Sequence, residues 1–182
     1  SREATNPWYD AVYAHVETAM NDFAAATGRQ YKPFEFYGHP QAERVIVIMG
    51  SAIGTCEEVV DELLSRGEKV GVLKVRLYRP FSAAHLLEAL PVSARAVAVL
   101  DRTKEPGAQA EPLYLDVMTA LAEAFNRGER ETLPRTIGGR YGLSSKEFGP
   151  ECVLAIFNEL SAAKPKPRFT VGIYDDVTNL SL

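Results

Sequence analysis

Four stretches of the chain gather the side chains that could do chemistry. Gly50-Ser51-Ala52-Ile53-Gly54-Thr55 follows a β-branched run and precedes a helical pattern, a place where free backbone N–H groups can hold an anion. It has neither the lysine of a P-loop nor the three-glycine spacing of a dinucleotide fingerprint, so a tight turn with a cap is the competing reading. Arg76-Leu77-Tyr78-Arg79-Pro80-Phe81 sets two guanidinium groups where a strand ends; such groups clamp a carboxylate or phosphate, pair with an acidic neighbour or meet another domain. Asp101-Arg102-Thr103-Lys104-Glu105-Pro106-Gly107-Ala108 is the densest polar cluster, open to three readings: solvated loop, interface rim or catalytic carboxylate. Gly139 to Phe148 combines glycines, hydroxyls and Lys146, suited either to gripping phosphate or to a rigid connection into the last helix. His15, His39 and His85 fall on different elements, so neither a metal site nor a nucleophilic triad assembles locally. Cys56 and Cys152 each stand alone, which excludes a CxxC pair or an iron–sulfur ligand run within the segment and suggests reduced thiols.

The elements that must position these loops follow from periodicity. Apolar residues at Trp8, Val12, Val16, Ala19, Met20 and Phe23 mark one face of a helix, stopped by Gly28. Arg44 to Met49 reads as a strand and Cys56 to Arg66 as a helix, with Thr55 and Glu58 at capping-box spacing and Gly67 at the position after the last turn. Val70 to Leu77 predicts a strand, Ala83 to Leu90 a short helix, Ala96 to Leu100 a strand, and Pro112 to Phe125 a helix opened by its proline. Thr136 to Tyr141 is a glycine-bearing strand and Pro150 to Leu160 a closing helix. Alternation of strands apolar on both faces with helices predicts an α/β fold, three-layer α/β/α, with a doubly wound, mainly parallel sheet. Functional groups are then expected beyond the C-terminal ends of the strands, at Gly50, Arg79, Asp101 and Gly139.

Composition narrows the function classes. With 182 residues, 46% of them hydrophobic, the chain can build one core. Its net charge of −4 with dispersed Lys and Arg argues against nucleic-acid or anionic-membrane partners. No run approaches the ~20 apolar residues of a membrane span, and residues 1–5 lack a signal-peptide pattern, so a cytoplasmic location is expected. A start without Met and an ending on Asn179-Leu180-Ser181-Leu182 suggest an excised piece of a longer polypeptide.

Five strings carry a resemblance. Arg44-Val45-Ile46-Val47-Ile48-Met49-Gly50-Ser51, Lys74-Val75-Arg76-Leu77-Tyr78-Arg79-Pro80-Phe81, Leu100 to Ala108, Gly139 to Phe148, and Phe169-Thr170-Val171-Gly172-Ile173-Tyr174-Asp175-Asp176-Val177-Thr178 together resemble, in order and spacing, one region of the pyruvate:ferredoxin/flavodoxin oxidoreductases, closest to the enterobacterial type. The resemblance covers essentially the whole chain. It implies the second domain of a large, usually homodimeric enzyme, with a fold like the C-terminal domain of transketolases. That enzyme converts pyruvate, coenzyme A and oxidised ferredoxin or flavodoxin to acetyl-CoA, carbon dioxide and reduced carrier, using thiamine diphosphate, Mg2+ and [4Fe-4S] clusters.

The resemblance assigns those cofactors to other domains, because this sequence has no Gly-Asp-Gly strand end and no cysteine-rich run. The fragment itself is expected to hold no cofactor or metal, to have no catalytic residue, and to pack against the thiamine-binding domains of the same polypeptide. Residues 1–30 are expected as a helix packing on the domain, 31–163 as the transketolase C-terminal-like α/β domain, and 164–182 as a linker and the start of the following domain. In the resembling enzymes that next domain contributes to coenzyme A binding, which places Thr178, Ser181 and Leu182 near the start of a coenzyme A site. Two alternatives stand beside this reading: a related domain of another redox enzyme, such as a sulfite reductase subunit, and a free-standing small-molecule-binding α/β domain.

Overall fold

The computed structural model describes residues 2–174 and 177–182. A short 3-10 turn leads into α1 (Asn6–Thr27), followed by β1 (Phe34–Gly38), β2 (Arg44–Met49), α2 (Ile53–Ser65), β3 (Val70–Val75), α3 (Ala83–Ala89) and β4 (Ala96–Asp101). Then come α4 (Pro112–Asn126), β5 (Arg135–Arg140), a 3-10 turn at Leu143–Ser145, α5 (Pro150–Ser161) and β6 (Arg168–Thr170). The six strands form one sheet in the order β1-β3-β2-β4-β5-β6. All pair in parallel except β1, which runs antiparallel to β3.

Every residue of β3 and β4 is buried, as a strand covered on both faces must be. One face packs Ile46, Ile48 and Leu100 against Cys56, Val60 and Leu63 of α2 and Val153, Ile156 and Phe157 of α5. The other packs Val45, Val47 and Val97 against Leu86 of α3, Leu113, Val117 and Leu121 of α4, and Tyr13 of α1. The α/β/α, mainly parallel architecture expected from the alternation is the one observed.

Local details depart from expectation in two places. The α2 helix starts before Thr55, its N-cap is Ala52, and no side chain caps it. The Thr55–Glu58 capping box therefore does not form: Cys56 N–H already bonds to the Ala52 carbonyl at 3.2 Å, leaving Thr55 inside the first turn. At the other end Gly67 does terminate the helix, at φ +81°, with Gly67 N–H on Leu64 O and Glu68 N–H on Leu63 O; the left-handed backbone that closes these two bonds favours glycine. Along α1 the apolar stripe is only partly covered: Val12, Val16 and Met20 are half-buried while Trp8 and Phe23 are 77% and 40% exposed. The helix is held instead by Tyr13, whose ring stacks on His85 at 3.6 Å and on Phe34 at 6.5 Å.

Residues 168–170, read from the sequence as opening a following unit, form the edge strand β6. Phe169 is fully buried, its ring lying on Gly139 of β5, where a Cβ would stand 2.5 Å from Leu100 Cδ2 and closer still to the Phe169 ring. The glycine in β5 is a packing requirement.

Candidate functional site

The chain passes from β2 to β3 on one side and then returns to β4 on the other, so the strand order reverses between β2 and β4. Their outgoing loops lead to opposite faces, α2 to one and α4 to the other, and open a crevice at the C-terminal strand ends. Four strand-end groups expected from the sequence sit along this edge, in three different arrangements.

Asp101, at the end of β4 and only 3% exposed, accepts hydrogen bonds from the N–H groups of Leu113 at 2.9 Å and Tyr114 at 3.1 Å. It caps the first turn of α4, whose own N-cap residue Glu111 contributes no side-chain cap. Burial pushes its carboxyl above the ordinary value, against the pull of those two N–H groups. The Asp101 carboxylate is thus used as a helix cap, a role outside the three readings of this loop. Glu111, not singled out from the sequence, is 1% exposed and accepts from Arg140 Nε at 2.8 Å, with Lys104 Nζ at 3.8 Å. The only sequence signal for it was its place ahead of the helix-opening proline.

The cations after β3 are also engaged within the chain. Arg76 pairs with Glu35 and lies over the Tyr31 ring at 4.9 Å. Arg79 pairs with Asp116 at 2.8 Å and lies over Tyr78 at 3.9 Å. The Tyr78 hydroxyl donates to the same carboxylate at 2.9 Å, and burial followed by that bond pushes its pKa up to about 12. Of the alternatives for this loop, pairing with an acidic neighbour is realised.

The third arrangement is a cavity of about 220 Å³ joining the Gly50 and Gly139 loops, lined by Ser51, Ala52, Thr55, Arg102, Tyr141, Gly142, Lys146 and Phe148. Tyr141 spans the sheet end, donating from its hydroxyl to Met49 O at 2.8 Å and packing on Phe148 at 5.0 Å between ring centres.

Thr178 is exposed, while Ser181 and Leu182 lie along the outer edge of β6. Ser181 bridges to Thr170 and its carbonyl accepts from Lys166 Nζ at 2.6 Å. Leu182 N–H donates to Thr170 O at 3.1 Å, and its side chain joins the core under α2 and α5. None of the three lines the cavity at Gly50. Asp175 and Asp176 of the fifth string lie outside the described residues.

His85 Nδ1 lies 2.5 Å from Ser82 Oγ, His39 Nδ1 accepts from Gln41 N–H at 2.9 Å, and His15 is exposed. Among the described residues no group of three His, Cys, Asp or Glu is placed to hold a metal ion. Cys56 and Cys152 are both buried in helices on the same face, and burial raises both thiols, Cys56 to about 12. Two buried, protonated thiols do not fit a [4Fe-4S] cluster, which takes four thiolates. No strand end carries Gly-Asp-Gly, so the chain does not fit the diphosphate–Mg2+ grip either. No helix is long and apolar enough to cross a membrane among the described residues.

A doubly wound α/β domain whose strand-end acids and most strand-end cations pair among themselves is the class that fold and site define. Residues 42–143 match the family model described as pyruvate:ferredoxin oxidoreductase core domain II, which is more than half of the chain, and the chain belongs to that family. It is 88% identical over 182 residues to the probable pyruvate-flavodoxin oxidoreductase of Escherichia coli K12, covering 100% of this chain and 16% of that protein. It is 61% identical over 184 residues to the pyruvate-flavodoxin oxidoreductase of Rhodospirillum rubrum, covering 100% of this chain and 15% of that one. A solved 2-oxoglutarate:ferredoxin oxidoreductase from Magnetococcus marinus, with 2-oxoglutarate, coenzyme A and succinyl-CoA bound, aligns with TM-score 0.46 and 22% identity over 72% of this chain and 20% of its own. The chain thus spans about one sixth of the length of these two curated relatives.

Proposed function

We propose that this chain is a noncatalytic structural domain of a pyruvate:ferredoxin or flavodoxin oxidoreductase that turns pyruvate, coenzyme A and oxidised carrier into acetyl-CoA, carbon dioxide and reduced carrier. The observation that carries the reading is the 88% identity over the whole chain to a protein of which it forms 16%. In this reading thiamine diphosphate, Mg2+ and the [4Fe-4S] clusters belong to other domains, for which this chain's donor set is unsuited. Its partners are those domains, in a homodimeric cytoplasmic enzyme. Residues 31–163 form the transketolase C-terminal-like unit, with residues 1–30 packed on it, and 164–182 lead into the next domain. Thr178, Ser181 and Leu182 stand near where the coenzyme A site of the whole enzyme begins.

The role of the chain is to give the neighbouring domains a rigid wall. The pairing of Arg79 with Asp116, of Arg76 with Glu35 and of Arg140 with Glu111 fixes its strand-end loops before any partner arrives. The test is pyruvate-dependent dye reduction with coenzyme A, together with iron analysis, on the purified 182-residue chain and on the longer enzyme containing it. The longer enzyme should be active and iron-loaded and the chain alone inactive and iron-free. Stoichiometric iron in the chain alone, or an inactive longer enzyme with its assembly intact, overturns the assignment. Thr178→Ala with Ser181→Ala in the longer enzyme should weaken coenzyme A binding by calorimetry; unchanged affinity removes those residues from the site.

A further inference from the structure

The cavity at the reversal of strand order is a part of the C-terminal sheet edge whose cations are not consumed by neighbours among the described residues. Arg76, Arg79, Lys104 and Arg140 all have carboxylate partners within the chain. Arg102 and Lys146, which line the cavity, make no side-chain hydrogen bond or ion pair with any described residue. They reach it from different loops, one after β4 and one after β5, so their meeting is a product of the sheet order and not of sequence proximity. Arg102 is laid across Gly142, where a Cβ would stand 2.8 Å from its Nε; Gly142 has φ +62°, and its lack of a side chain opens the groove that the guanidinium occupies.

The remaining wall suits an anion as well. Ser51 and Thr55 bring hydroxyls, and α2, thirteen residues long, begins beside the cavity without a side-chain cap; its Ile53 N–H bonds to Gly50 O at 3.3 Å, and the next first-turn N–H groups, of Gly54 and Thr55, are served by no side chain among the described residues. Among the described residues no carboxylate lines the cavity. Two cations unpaired among the described residues, two hydroxyls and an uncapped helix start around about 220 Å³ leave room for one phosphoryl group and offer donors for its several acceptor oxygens, with Phe148 and Ala52 as the apolar margin.

We infer that this cavity binds a phosphoryl group, held by Arg102, Lys146 and Thr55 at the point where the strand order reverses. This goes beyond the structural role proposed above and does not depend on it, because every residue involved lies in this chain. The carboxylate of a neighbouring domain is the competing occupant, and the two differ in valence and shape: a phosphate dianion offers three oxygens to three donors, a carboxylate only two.

The test is a titration of the full 182-residue chain with inorganic phosphate, followed by 1H–15N correlation spectra at constant ionic strength. Saturable shifts at the Gly54 and Thr55 amides and the Arg102 Nε–H are expected, with acetate producing much weaker ones. Arg102→Gln and Lys146→Gln should each weaken phosphate by about tenfold or more, the scale of one charge-assisted hydrogen bond, while the rest of the spectrum stays in place. Thr55→Val, which keeps the shape, should weaken it less. Adenosine monophosphate competing with phosphate would identify the ligand as a phosphorylated small molecule whose remainder lies outside the cavity; phosphate binding without such competition would identify the free ion. Shifts that rise linearly without saturation, equal affinity for acetate, or unchanged phosphate affinity in the folded Arg102→Gln, Lys146→Gln double variant would overturn the site.

Discussion

Replacing Asp101 by Ala should destabilise the chain far more than removing a surface carboxylate, because its two oxygens serve the N–H groups of Leu113 and Tyr114 at 2.9 and 3.1 Å. Loss of a helix cap costs about 0.5–2 kcal/mol, and each buried donor left without a partner costs roughly 1–3 kcal/mol. Relief of the repulsion that Glu111 and Asp116 exert on Asp101 offsets part of this, and a net loss of about 3 kcal/mol follows from these terms. The assay is urea unfolding followed by circular dichroism at neutral pH, where the midpoint should fall with the slope unchanged. In a thermal scan of a chain this long the same loss corresponds to about 6–12 °C. Asp101→Asn keeps one acceptor and should fall between wild type and Asp101→Ala. The pH dependence has a definite sign. Burial holds the folded carboxyl above its ordinary value, so between the unfolded and folded values the native state carries a proton that the unfolded state has released. Stability from this group is therefore lost as pH rises through the folded value, and the gap between wild type and Asp101→Ala should widen as pH falls through the window just above the ordinary carboxylate range. A loss under about 0.5 kcal/mol, the range of indifferent surface changes, would refute the capping role. A gap that narrows on acidification would show that the two N–H bonds outweigh burial.

Gly139→Ala should cost about 3 kcal/mol by overpacking against Leu100 and Phe169, and Phe169→Leu in the same chain should recover part of it; a neutral single variant in urea unfolding would contradict the packing described. Arg140→Met leaves Glu111, 1% exposed, without its 2.8 Å partner and should lose about 3–5 kcal/mol, with Glu111→Gln added to it restoring stability; equal stability of the single variant would deny the pair a structural role. Arg79→Ala, whose side chain is 55% exposed, should cost under about 1 kcal/mol, whereas Asp116→Ala should lower the Tyr78 pKa from about 12, read by phenolate absorbance. The Cys56 thiol, fully buried and pushed up to about 12, should ignore a disulfide reagent in the folded chain and react only on unfolding; rapid native-state labelling at Cys56 would place it near solvent.

Much of this fold was legible from local pattern. The β2 strand spans Arg44–Met49 as read from its β-branched run, α4 opens at Pro112, and α2 stops at Gly67, because propensity, proline and a left-handed glycine act within a few residues. What the sequence left undecided depends on partners far away in the chain. The segment Phe34–Gly38 became a strand by pairing antiparallel with Val70–Val75, and Arg168–Thr170 by pairing with β5. Neither partner is visible in the segment itself. Thr55 and Glu58 had capping-box spacing, yet the turn at Gly50 to Ala52 started the helix one turn earlier. Asp101 read as an open question until α4 brought the N–H groups of Leu113 and Tyr114 to it, twelve and thirteen residues on. The order in which strands lie beside one another decided the rest. Local sequence sets which residues end a strand, but only the packed sheet, with β2 and β4 adjacent and their helices on opposite faces, put Arg102 and Lys146 around one cavity with Thr55 and gave Arg79 and Arg140 carboxylates of their own.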